Sequence, residues 1–195
     1  MYPDFLTLVI FGIVAGFTPG PNNITASYSG FNFGFKKTIP LMLGVIFGWT
    51  LLLFLMNAGL IIIFRNYPYI QDLIKVLGSL FLVYMAYLIA FSKDSKSNKL
   101  KNPVGFFKTF LFQFINPKGI IVATFVISTF IDIENYVRDS IIVISFFFMI
   151  AASSIGTWCL MGRYLRKFAT SEKFIRNFNY TMSFLLIVCV ILFYV

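Results

Sequence analysis

Long uncharged stretches, separated by short clusters of charge, set the pattern of this chain. A membrane-crossing helix needs about 20 apolar residues, and six stretches qualify. The first three run from about Pro3 to Ser29, from Ile39 to Phe64 and from about Leu73 to Phe91. The last three run from about Val104 to Ile131, from Ile141 to about Met161 and from about Phe178 to Val195. The pattern predicts an all-α integral membrane protein with six transmembrane helices, forming a single membrane domain over residues 1–195.

Two of the six stretches are interrupted by polar residues and proline. The first contains Thr18-Pro19-Gly20-Pro21-Asn22-Asn23. Two prolines two residues apart remove two backbone donors and disfavour the helical conformation of Thr18 and Gly20. The fourth contains Gln113-Phe114-Ile115-Asn116-Pro117-Lys118-Gly119, pairing Asn with Pro again and adding a lysine. Thr18 lies about 21 Å of helix beyond Asp4, and Asn116 about 16 Å beyond Gly105, at ~1.5 Å per residue. In a hydrocarbon core of about 30 Å both breaks fall near the midplane. A helix broken in lipid needs protein or trapped water to satisfy its freed carbonyls. Secondary transporters often build a substrate site from such breaks.

The polar connection from Ser92 to Pro103 is rich in Lys, Ser and Asn, and reads as a flexible loop. It divides the chain into repeat one, 1–91, and repeat two, 104–195. Each half has three spans, opens with a broken one and carries small residues in its second. Those are Gly44 and Gly48 in one half, and Ala151-Ala152-Ser153-Ser154-Ile155-Gly156 in the other. Small residues at that spacing let helices approach closely. An odd number of spans per half makes the halves an inverted repeat.

Charge follows the same topology. The chain has 195 residues, 59% hydrophobic and 12% charged, with net charge +9. Soluble domains have about 25% charged residues. Lys36, Lys37, Lys93, Lys96, Lys99, Lys101, Lys108, Arg163, Arg166, Lys167, Lys173 and Arg176 all fall on one side of a six-span topology, twelve of the sixteen basic residues. Asp4, Asp72, Asp132, Glu134 and Asp139 fall on the other. The positive-inside rule makes the first side cytoplasmic and puts both termini outside the cytoplasm. The chain is expected in the cell membrane as a multi-pass protein, with the lipid bilayer as a partner and no nucleic-acid role for its charge. The opening residues lack the lysines of a signal peptide, so the first span is expected to be retained.

Several chemistries lack their residues. There is no histidine and no Cys-x-x-Cys, so no metal, haem or other cofactor is expected. Cys159 and Cys189 fall in the fifth and sixth spans, where they read as small buried hydrophobes. A thiol-based electron carrier would need them near the breaks. An enzyme would need the usual general bases, absent here, so no catalytic residue is assigned. An accessory subunit without transport has no reason to carry polar unwound backbone at the bilayer centre.

Thr-Pro-Gly-Pro-Asn-Asn at 18–23, Gly-Phe-Lys-Lys at 34–37 and Phe-Gln-Phe-Ile-Asn-Pro-Lys at 112–118 resemble the LysE/RhtB amino-acid exporters. Within that family the chain is most similar to the cysteine/O-acetylserine exporters, over nearly its whole length. The resemblance implies proton-driven efflux of a small neutral amino acid or derivative. It implies that Pro19, Gly20, Pro21, Asn22, Asn23, Asn116 and Lys118 belong to the family motif. Relatives exporting homoserine, threonine, leucine or lysine leave other amino acids, or another small polar solute, as the alternative.

The residues themselves suggest how such a solute is held. The expected substrate-binding set is Thr18, Pro19, Gly20, Pro21, Asn22, Asn23, Gln113, Asn116, Pro117 and Lys118. The broken spans offer N–H groups and positive helix ends to a carboxylate, and freed carbonyls to an ammonium. The asparagines can donate and accept. Lys118 is expected to hold the carboxylate, as an intramembrane lysine is a functional candidate. With no Asp or Glu clearly mid-span, it is also the candidate proton carrier; a facilitator without a coupled proton is the alternative. The small-residue faces of the second and fifth spans could pack within one protomer or across a homodimer.

Overall fold

The computed structural model describes residues 5–91 and 103–194. The expected flexible loop, 92–103, lies outside the described residues except for its last position. The described chain is helical: α1 (Phe5–Phe17), α2 (Pro21–Phe33), α3 (Phe35–Leu55), α4 (Ile61–Asn66), α5 (Pro68–Ala90), α6 (Phe106–Phe112), α7 (Pro117–Phe130), α8 (Tyr136–Arg166) and α9 (Glu172–Leu192). A π-helical turn, Met56–Leu60, joins α3 to α4, and a 3-10 turn, Gln113–Ile115, follows α6. Four helices are long and apolar enough to cross a membrane, counting α3 through Phe64 as one. There are six spans if each bent pair, α1–α2 and α6–α7, is one span.

Both breaks occur where the prolines require them. α1 ends at Phe17, and α2 restarts with Pro21 at its first position, where a missing N–H costs nothing. Gly20 between them is fully extended. Asn116, which precedes Pro117, is also extended, as the proline ring demands of its predecessor. The helix axis turns by 53° at the first break and 62° at the second.

Helix ends differ from span ends at four places. α8 has 31 residues, about 46 Å at 1.5 Å per residue, and outruns the hydrocarbon core at both ends. Asp139 in its first turn and Arg163 and Arg166 in its last match the helix dipole, so the helix continues where hydrophobicity stops. α5 begins at Pro68, ahead of the third apolar stretch, which starts at about Leu73. α9 begins at Glu172 because Ser171 caps it, its hydroxyl accepting from the Phe174 N–H at 3.2 Å. The second span, expected to be continuous, changes pitch at Met56–Leu60, where Gly59 has φ +121°. Only glycine adopts that conformation without strain.

Two apolar clusters lie on either side of the breaks. One joins α2, α3, α5, α8 and α9 through Ile24, Phe31, Leu41, Met85, Cys159 and Leu186. The other joins α1, α3, α7 and α8 through Leu8, Leu53, Met56, Ala123, Phe130 and Phe147. Cys159 and Cys189 are both buried free thiols within the first cluster. Around it, backbones come into contact at glycines. A Cβ on Gly30 would collide with the Cys159 carbonyl, and one on Gly162 with the Ser27 carbonyl, locking α2 to α8. A Cβ on Gly44 would strike Thr109 and Phe106, and one on Gly48 would lie 2.7 Å from the Phe110 carbonyl oxygen, so α3 lies equally close to α6. The small-residue spacing read from the sequence is used here for helix packing.

Candidate functional site

Breaking α1 leaves its last carbonyls without helical partners, and each of three finds one. Gly16 O accepts from Asn23 Nδ2 at 2.8 Å and from Ser154 Oγ at 2.7 Å. Phe17 O accepts from Trp158 Nε1 at 3.3 Å. Thr18 O accepts from Asn23 Nδ2 at 3.1 Å and from Lys118 Nζ at 3.1 Å. A carbonyl unpaired away from water costs about 1–3 kcal/mol, so these bonds are what let the helix break in an apolar setting. Asn23 is 7% exposed and fully committed to this task.

The second break meets the first. Lys118, at the second position of α7, reaches Thr18 across the gap. Asn22 and Gln113 form a reciprocal amide pair: Asn22 Nδ2 donates to Gln113 Oε1 at 2.8 Å, and Gln113 Nε2 donates to Asn22 Oδ1 at 3.1 Å. Gln113 Nε2 also donates to Thr109 O at 2.8 Å and is fully buried.

Between the breaks lies a cavity of about 90 Å³. At about 10–15 Å³ for each water-sized group, it has room for about six to nine of them, the scale of a small amino acid. Its polar wall is Gly20, Pro21, Asn22, Asn23, Gln113, Asn116, Lys118, Gly119 and Ser154. Its apolar wall includes Trp49, Val122, Phe147 and Ile150. Of the expected set, Gly20, Pro21, Asn22, Asn23, Gln113, Asn116 and Lys118 border the cavity. Thr18, Pro19 and Pro117 do not: Thr18 and Pro19 are exposed, and Pro117 is buried beside α5 at Gly78. They shape the breaks instead.

Three features make the cavity receptive to a charged polar solute. α2 and α7 both begin at it, and neither has a side-chain cap. Their first N–H groups and positive dipole ends are therefore available to an anion. Lys118 adds a positive charge, and among the described residues no carboxylate pairs with it; the ion pair recorded is Arg138–Asp139 at 3.0 Å, at the start of α8. Finally, Asn116 borders the cavity and is 3% exposed, and its Oδ1 has no hydrogen-bond partner, so a free acceptor lies buried beside the cavity.

Sequence reasoning missed Ser154 and Trp158 as partners of the broken helix. The small-residue run around Ser154 was the available signal, but it read as packing.

The LysE type translocator family model matches residues 13–195. The chain is similar to proteins named cysteine/O-acetylserine efflux protein. That of Salmonella typhimurium strain LT2 is 29% identical over 92% of this chain and 91% of the relative. That of Escherichia coli strain K12 is 26% identical over the same shares. No solved structure is a significant match. These relatives are named as efflux proteins and not as enzymes. With up to six apolar spans and a family match over most of its length, the chain is a multi-pass membrane protein and belongs to the LysE type translocator family.

Proposed function

We propose that the protein exports small neutral amino acids or their derivatives, of the cysteine/O-acetylserine kind, from the cytoplasm. The observation that carries this reading is the meeting of two uncapped helix starts and Lys118 on one cavity of amino-acid size, with the unpartnered Asn116 Oδ1 buried beside it. A zwitterion supplies what each group lacks. The substrate carboxylate lies against the starts of α2 and α7 and the Lys118 ammonium. The substrate ammonium donates to Asn116 Oδ1. The modest apolar wall of Val122 and Ile150 takes a short side chain. Asn23, Ser154 and Trp158 hold the breaks open to the substrate by bonding the freed carbonyls of α1.

The rest of the reading follows the charge and the element order. The two halves, 1–91 and 104–195, work as an inverted repeat in one transport domain, supported by a broken helix followed by a long one in each. The face bearing Lys36, Lys37, Arg163 and Lys173 is cytoplasmic, with both termini on the other side. Export is driven by the proton gradient, with Lys118 as the carrier. A facilitator is the alternative mode.

The test uses purified protein in vesicles preloaded with labelled cysteine or O-acetylserine. Serine should compete for efflux, while cysteamine, lacking the carboxylate, and 3-mercaptopropionate, lacking the ammonium, should not. Equal competition by all three would overturn the zwitterion site. No movement of any amino acid above empty vesicles would overturn the exporter reading.

A further inference from the structure

Beneath the cavity is a second, smaller one of about 10 Å³, bordered by Thr25, Leu41, Phe81, Thr109 and Phe112. Asn22 and Val45 are on the walls of both. Gln113 borders the larger cavity, while Thr109, one turn earlier on the same segment, and the adjacent Phe112 border the smaller. The reciprocal Asn22–Gln113 amide pair therefore stands at the boundary between them.

The two sides of that boundary are packed differently. On the side of the smaller cavity, α2 meets α8 and α3 meets α6 backbone to backbone, at Gly30, Gly162 and Gly44. On the side of the larger cavity, α5 meets the Ile115 carbonyl closely at Gly78, but α1 approaches α8 through the Phe146 and Ile150 side chains, and meets α7 through Phe11 and Phe125, whose rings are 4.6 Å apart. Side chains can change rotamer, whereas touching backbones must separate as whole helices. The lysine- and arginine-rich end is thus the sealed one.

We propose that the Asn22–Gln113 pair is the inner gate of the transport path, and that the structure is the state closed to the cytoplasm. The smaller cavity is the collapsed continuation of the path toward the cytoplasmic face. Opening requires the two amides to part, and each then needs a new partner. A substrate whose charged groups replace one amide for the other supplies it, which ties gate opening to occupancy. An amide pair suits the role because it is neutral. Breaking two neutral hydrogen bonds shifts an equilibrium by a surmountable amount, where a buried ion pair would lock it.

This rests on the exporter reading for its direction, but its test needs no substrate. A cysteine is placed beyond the gate by Thr25→Cys, or in the main cavity by Val122→Cys, and the chain without an added cysteine sets the background. A small membrane-impermeant thiol reagent is applied from the non-cytoplasmic face. With Gln113 intact, the Val122→Cys chain should react and the Thr25→Cys chain should not. Adding Gln113→Ala should raise the Thr25→Cys rate about tenfold, the effect of losing about 1.4 kcal/mol of hydrogen bonding. The exchanged pair, Asn22→Gln with Gln113→Asn, keeps one amide on each side and should restore protection. It also carries the test if Gln113→Ala fails to fold. Equal Thr25→Cys rates with and without the pair, or an exchanged pair as leaky as the alanine variant, would overturn the gate. Amino-acid efflux could persist in either case, so failure of the gate is distinguishable from failure of the transport reading.

Discussion

Lys118 Nζ donates to the main-chain oxygen of Thr18 at 3.1 Å, so the second broken helix holds a carbonyl that the first has lost. A single backbone carbonyl leaves most of the ammonium's donor capacity unused. Lys118→Gln keeps an N–H for Thr18 and removes the charge. It should reduce efflux about tenfold or more while the protein remains folded, since a charged hydrogen bond contributes about 1.5–3 kcal/mol. Vesicle efflux, with inserted protein quantified, measures this. Lys118→Arg should retain part of the activity.

Asn116→Asp replaces the amide with an acid while keeping an acceptor. Asn116→Leu removes the acceptor altogether. If Oδ1 receives the substrate ammonium, the leucine variant should lose apparent affinity by about tenfold or more. A saturation series of efflux against internal amino acid reads that loss directly. An unchanged half-saturation point would assign Asn116 to the break alone.

Asn23 and Ser154 share the Gly16 carbonyl, yet their variants should differ. Asn23→Ala leaves Thr18 O with Lys118 and Gly16 O with Ser154, removing a donor from each carbonyl and the Oδ1 that accepts from Ser154 Oγ at 3.3 Å. It should lower stability by about 1–3 kcal/mol. Ser154→Ala removes a single hydroxyl proton, shared between Gly16 O at 2.7 Å and Asn23 Oδ1 at 3.3 Å, and should cost less. Thermal unfolding in detergent should rank wild type above Ser154→Ala, and Ser154→Ala above Asn23→Ala.

At Gly162 there is no room for a methyl group, because its Cβ would fall on the Ser27 carbonyl. Gly162→Ala should push α8 from α2 and destabilise the protein by about 1–3 kcal/mol, the usual cost of overpacking. Gly105→Ala, at a glycine with open space around it, is the matched control and should unfold like wild type.

The breaks were legible because proline acts locally: Pro19, Pro21 and Pro117 restrict their own backbone and that of the residue before. The polar residues beside them marked the site for the same reason. What accepts and donates across space was not legible. Asn22 and Gln113 are 91 positions apart, and Ser154 is 138 positions from Gly16. Such pairings depend on helix packing, which hydropathy does not encode. Asp139 is a case in between. The charge pattern placed it on the non-cytoplasmic side, but not that it is fully buried, held by Arg138 and by the Asp132 N–H at 3.2 Å. The π-helical turn at Met56–Leu60 left only Gly59 as a trace, and an isolated glycine in a membrane helix has many readings.

Efflux of labelled amino acids from preloaded vesicles, with and without a pH gradient, is the direct test of the zwitterion site between the breaks. Wild type should export cysteine or O-acetylserine, with Lys118→Ala and Asn116→Leu inserted and folded but transporting about tenfold less or worse. Full transport by both variants would contradict the site, and the meeting of the two breaks would then be structural.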